Sequence, residues 1–205
     1  MADLVDEEPN DPIDKPLRLS IRWSGIAEGI VSEGDIEAYL QIGLFLGDEP
    51  LFADVAYDHP PGYRETWLLP GHFSGESADC RLLDDLWALL STGKRMDFDD
   101  TIEPTFRLAI APLPFLLWHD REPDLDRKPD YYEVLTIIRH GGPWHGDAMG
   151  GAGPAAYSVV ERPTLIKFFY DLLDEALDPK NSDEASRRIL MERFGEAIDN
   201  RPETR

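Results

Sequence analysis

The chain has 205 residues, 42% of them apolar and including nine Phe and five Trp, which excludes a disordered polypeptide and allows one domain with a sizeable core. Its 41 Asp and Glu against 20 Lys and Arg give a net charge of −21, a field that repels nucleic acid and anionic membrane and attracts basic protein. No apolar run reaches the length of a membrane span, and a single cysteine, Cys80, excludes an intramolecular disulfide, so a cytoplasmic location is expected.

Residues 1–16, MADLVDEEPNDPIDKP, carry six acids, one lysine and three prolines. They lack the basic and apolar regions of a signal peptide and read as an acidic disordered tail. LRLSIRWSG (17–25) alternates apolar and polar residues, as a strand does. IEAYLQIGLFLG (36–47) places Leu40, Ile42, Leu44 and Leu46 on one strand face. GDEP follows as a turn, with LFADVAYD (51–58) as the return strand. HPPGYRETWLLPG then begins as a loop, with an edge strand as one reading of its end.

The period changes in ADCRLLDDLWALLSTG (78–93), where Leu82, Leu83, Leu86, Trp87 and Leu90 recur at helical spacing before a Gly93 cap. Residues 105–112, 115–120, 131–140 and 155–161 read as four more strands. RPTLIKFFYDLLDEALD (162–178) is the clearest helix, with Pro163 in its first turn and a stripe of Leu165, Phe168, Phe169, Leu172, Leu173 and Leu177. A last helix over 182–199 opens on an Asn181–Glu184 capping-box pattern. Its face of Ile189, Leu190, Phe194 and Ile198 is narrower and is broken by Gly195.

Strands and helices do not alternate regularly, which disfavours a doubly wound parallel sheet. Hairpin-sized connections predict an α+β fold, a mainly antiparallel sheet with helices packed on one face plus an extra C-terminal helix. The expected organisation is the tail 1–16, one α+β domain over 17–178, and a C-terminal helix and tail over 179–205.

No stretch spells out an enzyme. RHGGPWHGDAMGGAGPAAYSVVE (139–161) contains GAGPAA, which matches a dinucleotide fingerprint in letters, but a strand follows where that motif needs a helix. His140, His145 and Asp147 are residue types that suit zinc or iron, and a metal-assisted hydrolase built on them is one alternative. Six glycines hold such a site poorly, so an exposed connection without metal or cofactor is the expectation. GHFSGES (71–77) is not a nucleophile elbow. Cys80 at a helix N-terminus would favour a thiolate, yet a small packed residue is the commoner occupant there. A structural assembly subunit docking through the last helix is a third reading.

Two carboxylate clusters remain. MDFDDTIEP (96–104) and DREPDLDRKPD (120–130) lack the spacing of a calcium loop and read as solvated loop charge. For a basic partner they are the natural contacts, which nominates Asp97, Asp99, Asp100, Glu103, Asp124, Asp126 and Asp130 as partner-binding residues.

The element order resembles small bacterial immunity proteins of polymorphic-toxin systems, of the kind paired with cell-wall-associated toxins. LLDDLWALLSTGKRMDFDDTIEPTFRLAI (82–110) is similar to their helix, linker, Glu-Pro pair (Glu103-Pro104) and strand. AYSVVERPTLIKFFYDLLDEAL (156–177) is similar to their last strand and closing helix. The resemblance implies a non-enzymatic protein that covers the active surface of a toxin domain, and it transfers no individual contact residue.

Overall fold

The computed structural model describes residues 2–6, 15–26, 38–51, 69, 72–77, 80–99, 106–113, 129–138 and 155–202. The first sheet holds β1 (Ala2–Val5), β2 (Leu17–Ile26), β3 (Ala38–Leu46), β4 (Glu49–Pro50) and β5 (His72–Ser77). They run in the order β1-β2-β3-β4, with β5 also paired to β3 beyond β4, and every pairing is antiparallel. Helix α1 (Arg81–Thr92) leads into the second sheet, an antiparallel meander of β6 (Met96–Asp99), β7 (Phe106–Pro112), β8 (Tyr131–Ile138) and β9 (Ala155–Glu161). Helices α2 (Arg162–Leu177), α3 (Glu184–Arg193) and α4 (Gly195–Asp199) complete the described chain.

The α+β class and the antiparallel pairing are as expected, but the strands divide between two sheets, and the division falls at α1. Alternation decides the faces. Leu19, Ile21 and Trp23 of β2, Leu40, Ile42 and Leu44 of β3, Phe106, Leu108 and Ile110 of β7, and Tyr132 and Val134 of β8 are all buried in one cluster. The inner sides of α1 and α2 belong to the same cluster. Phe169 sits among three rings, stacked on Trp87 at 5.6 Å and edge-on to Tyr170 and Phe194 at 5.1 and 6.3 Å. Such aromatic contacts add about 0.5–1.5 kcal/mol each to the burial term.

Helix α1 ends where Gly93 adopts φ 71° and returns its N–H to the Leu89 carbonyl, a left-handed cap that a side chain would strain. Its N-terminus is less regular. Cys80 sits there at φ 56°, fully buried, and Ser77 Oγ instead accepts from Leu82 N at 3.2 Å.

Four readings of the sequence change. Residues 2–5 are not a disordered tail but an edge strand, with Ala2 and Leu4 buried against β2 and α2. MDFD is not a loop but strand β6, because Met96 and Phe98 alternate with Asp97 and Asp99 and bury on the core side. GHFSGES, to which the sequence pattern assigned no element, lies largely in β5, and two further changes follow at the C-terminal side. The segment beyond Leu177 is not an addition outside the core. Leu190, Phe194 and Ala197 are buried in the common cluster, and Tyr170 Oη donates to the Ala197 carbonyl at 2.8 Å. Its cap is Asp183, accepting from Ser186 N at 2.7 Å, rather than an Asn181–Glu184 box. The expected strands over 51–58 and 115–120 lie outside the described residues, except for Leu51.

Two hydrogen bonds stitch the ends of the chain together. Trp23 N donates to Glu175 Oε2 at 2.9 Å, and Val159 N donates to Asp6 Oδ1 at 3.2 Å. The second links the edge of one sheet to the edge of the other.

Candidate partner-binding face

The outer face of the second sheet carries Asp97 and Asp99, two of the described acids nominated from sequence, and Asp130 lies in the bend that leads into β8. The strand registers lay this face out as a grid. Asp99, Arg107, Ile137 and Ala155 form one row across the four strands. Asp97, Ala109, Leu135 and Tyr157 form the next. Ala111, Glu133 and Val159 follow, and Leu113, Tyr131 and Glu161 close the sheet at the far end, where Leu113 N donates to the Tyr131 carbonyl at 3.1 Å.

At the β6 end the acids are engaged. Arg107 grips Asp97 with both arms of its guanidinium, Nε to Oδ1 at 2.7 Å and Nη2 to Oδ2 at 2.6 Å. Arg95 adds a third contact at 3.1 Å, and Arg107 Nε lies 3.8 Å from Asp99 Oδ1. The Arg107 hydrogen bonds, opposed by partial burial, hold the Asp97 carboxyl below the usual carboxylate range. Behind this end, Arg81 bonds the Asp97 carbonyl and pairs with Asp85. Asp85 is nonetheless shifted upward, because burial outweighs the arginine.

The side of the sheet away from β6 is different in kind. Glu133 is only 1% exposed, and Tyr157 Oη donates to its Oε1 at 2.9 Å. Burial first, then the Glu133 bond and the charges of Glu133 and Asp6, push the Tyr157 hydroxyl up to about 12. Tyr157 keeps 37% of its surface exposed, and Tyr131 and Leu113, two rows further along the sheet, keep 36% and 42%. Asp130 stands exposed beside Tyr131, with its carbonyl accepting from Arg162 N at 2.8 Å. The Arg162 side chain goes to the Tyr132 hydroxyl at 3.0 Å, on the core side of the sheet.

The structure therefore places Asp97 and Asp99 at one end of this face and Asp130 at the other. Asp100, Glu103, Asp124 and Asp126 lie outside the described residues, as do His140, His145 and Asp147. Cys80 is sealed in the core, far from a reactive setting. Leu113, Tyr131, Glu133 and Tyr157 were not nominated from sequence. For Tyr131 and Glu133 the signal was the alternation in YYEVLTII, which sets Tyr131, Glu133, Leu135 and Ile137 on the face opposite Tyr132, Val134 and Thr136. Among the described residues no group of three His, Cys, Asp or Glu is placed to hold a metal, and no helix is long and apolar enough to cross a membrane.

No protein-family model matches the chain, and no curated protein matches it. One solved structure, titled as that of the plant transcriptional regulator PBF-2, overlaps 92% of this chain and 91% of its own, at 12% identity and a TM-score of 0.34. An overlap that loose carries no argument about fold or function.

Proposed function

We propose that the protein is a non-enzymatic acidic binder that neutralises a basic protein partner by occluding its active surface, in the manner of a toxin immunity protein. The observation that carries this reading is the distribution of charge. The sequence sets 41 Asp and Glu against 20 Lys and Arg. Several acids of the described residues are already engaged. Asp84 pairs with Arg193, Asp97 with Arg107, Asp174 with Arg201 and Asp171 with Lys167. The sequence clusters further acids in 96–104 and 120–130, among them Asp100, Glu103, Asp124 and Asp126. Clustered carboxylates of this kind steer a cationic protein into encounter and stand where a substrate's phosphates would lie.

The test is a pull-down from the native host with the captured protein identified by mass spectrometry, followed by stopped-flow association at two ionic strengths. A basic partner is expected, with an association rate that falls steeply as salt is added while dissociation changes less. Asp124→Lys with Asp126→Lys should slow association without unfolding the protein. A salt-independent rate would sink the charge mechanism, and a partner that is itself acidic would sink the reading.

A further inference from the structure

We propose that residues 184–202 form a strap that lifts off the aromatic cluster as one unit, hinged between Ser182 and Asp183, while both sheets stay folded, and that Arg193 and Arg201 are the latches that hold it down. The strap has a narrow seat. It buries Ser186, Leu190, Phe194 and Ala197, one residue in every three or four, whereas α2 buries seven of its sixteen. It joins neither sheet, and segments with few buried apolar contacts open before the rest of a domain.

The hinge lies where the anchoring stops. Asn181 Nδ2 donates to the Glu175 carbonyl at 2.9 Å and Ser182 Oγ to the Ala176 carbonyl at 2.6 Å, which pins the chain to the end of α2. Asp183 instead caps α3 itself, through Ser186 N. Beyond it the backbone bonds run within the strap. Phe194 N donates to the Leu190 carbonyl and Ile198 N to the Phe194 carbonyl, both at 2.9 Å, so α3 and α4 move together. When they lift, Phe169 loses the ring of Phe194 and α2 turns part of its aromatic stripe to solvent.

The latches sit at the surface. Arg193 holds both oxygens of Asp84 on α1. Arg201 holds both oxygens of Asp174 on α2, at 2.8 and 2.7 Å, with its guanidinium 4.9 Å from the Tyr170 ring centre. Both pairs are partly exposed, so salt screens them. Residues 179–205 hold six Asp and Glu against six Lys and Arg, so the whole of the −21 belongs to residues 1–178. A neutral strap is not pushed off by the body's charge, and added salt weakens its latches without relieving any repulsion beneath it.

Amide hydrogen exchange of the full-length chain, followed residue by residue by NMR, reads the opening, because a lifted helix of ten residues is too short to protect its own amides. Amides from Leu190 to Ile198 are expected to share one opening free energy, with protection at least about tenfold below that of β2 and β3. Arg193→Gln with Arg201→Gln should speed strap exchange about two- to tenfold, the scale of two exposed ion pairs. Arg201→Gln alone is the probe if the double variant proves unfolded by circular dichroism. Ile42→Val, in the core of the first sheet, should speed exchange in β2 and β3 about two- to tenfold and leave the strap unchanged. Strap amides that respond to Ile42→Val as the sheet does would mean that the strap opens only when the whole protein unfolds, and would overturn the proposal. Protection that fades residue by residue toward Pro202 would mean fraying rather than a unit, and would overturn it too. Strap exchange unmoved by the arginine variants, or slowed by sodium chloride raised from about 20 to about 500 mM, would overturn the role of the latches.

Discussion

The two sheets share one core but turn opposite kinds of surface outward. The outer face of the first sheet is locked. Arg18 lies over the Phe45 ring at 4.3 Å, Phe45 packs on His72 at 5.3 Å, and His72 Nε2 meets Ser20 Oγ at 3.3 Å. Gln41 is buried there too, with its Oε1 accepting from Leu69 N at 2.9 Å. Gly43 lies beneath the Phe45 and His72 rings with no room for a side chain, since a β-carbon would come within 2.5 Å of Phe45. The outer face of the second sheet has an alanine floor in Ala109 and Ala111, an ion-paired end and a tyrosine end. The first face is knit by packed rings and leaves Tyr39 exposed at one end, whereas the second is knit by an ion pair and leaves Tyr131 and Tyr157 exposed.

The comparison breaks most severely at what the sheets share. Phe169→Ala should cost about 3–5 kcal/mol in urea unfolding, and both sheets should be lost in one transition. A cost under about 1 kcal/mol, or two separate transitions, would mean that the sheets do not depend on a common core. Next in size is the contrast between the outer faces. Gly43→Ala should destabilise by about 1–3 kcal/mol through overpacking, whereas Ala155→Ser on the exposed edge of the other face should stay within about 0.5 kcal/mol. Equal effects would erase the distinction between a locked and an open face.

Two smaller effects sharpen it by pH. Asp97 has its folded pKa held below its unfolded value, so the stability it contributes is present above the unfolded pKa of about 3.9 and is lost as pH falls through the folded one. Asp97→Asn should therefore be less stable near neutrality, by on the order of 1 kcal/mol, and should show a flatter acid limb below about pH 4. An unchanged acid limb would show that the Arg107 clamp contributes nothing. Tyr157 has the opposite sense. Its folded pKa, near 12, lies above the unfolded value of about 10, so its contribution is complete below pH 10 and is lost as pH rises through that window. Tyr157→Phe should flatten the alkaline limb with an effect at pH 7 of at most about 1 kcal/mol. A limb identical to wild type would mean that the Glu133 bond is not held in solution.

Strong alternation and strong helical stripes made much of this architecture readable. LRLSIRWSG, YYEVLTII and AAYSVVE are strands, and Leu82 to Leu90 and Leu165 to Leu177 are the buried sides of helices. What escaped has physical reasons. Strand β1 offers only Ala2 and Leu4 to a period-two pattern, too few to stand out against the acids that follow. In β6 the alternating aspartates that carry the strand's outer face also make it read as a loop. Phe194 is a single large residue on a weak face, and its burial comes from rings on α2 that no local pattern reveals. Hairpin connections look the same whether strands form one sheet or two. As for the outer face of the second sheet, alternation reveals which residues share a side, but which side is covered is decided elsewhere in the chain. The tyrosine end was therefore invisible while its neighbours' charges were not.

The stitches between distant parts of the chain also set a timetable. The Trp23–Glu175 and Asp6–Val159 bonds join residues 152 and 153 positions apart. During synthesis the first sheet leaves the ribosome long before the helix that covers it, so β2 and β3 must wait with Ile21, Trp23, Leu40 and Ile42 uncovered. Contacts of such span are slow to form, because loop closure must precede any gain from packing. A nascent chain with one finished sheet and no lid is the species most exposed to aggregation. Its acids, which keep like molecules apart, then protect the chain while that core stands uncovered.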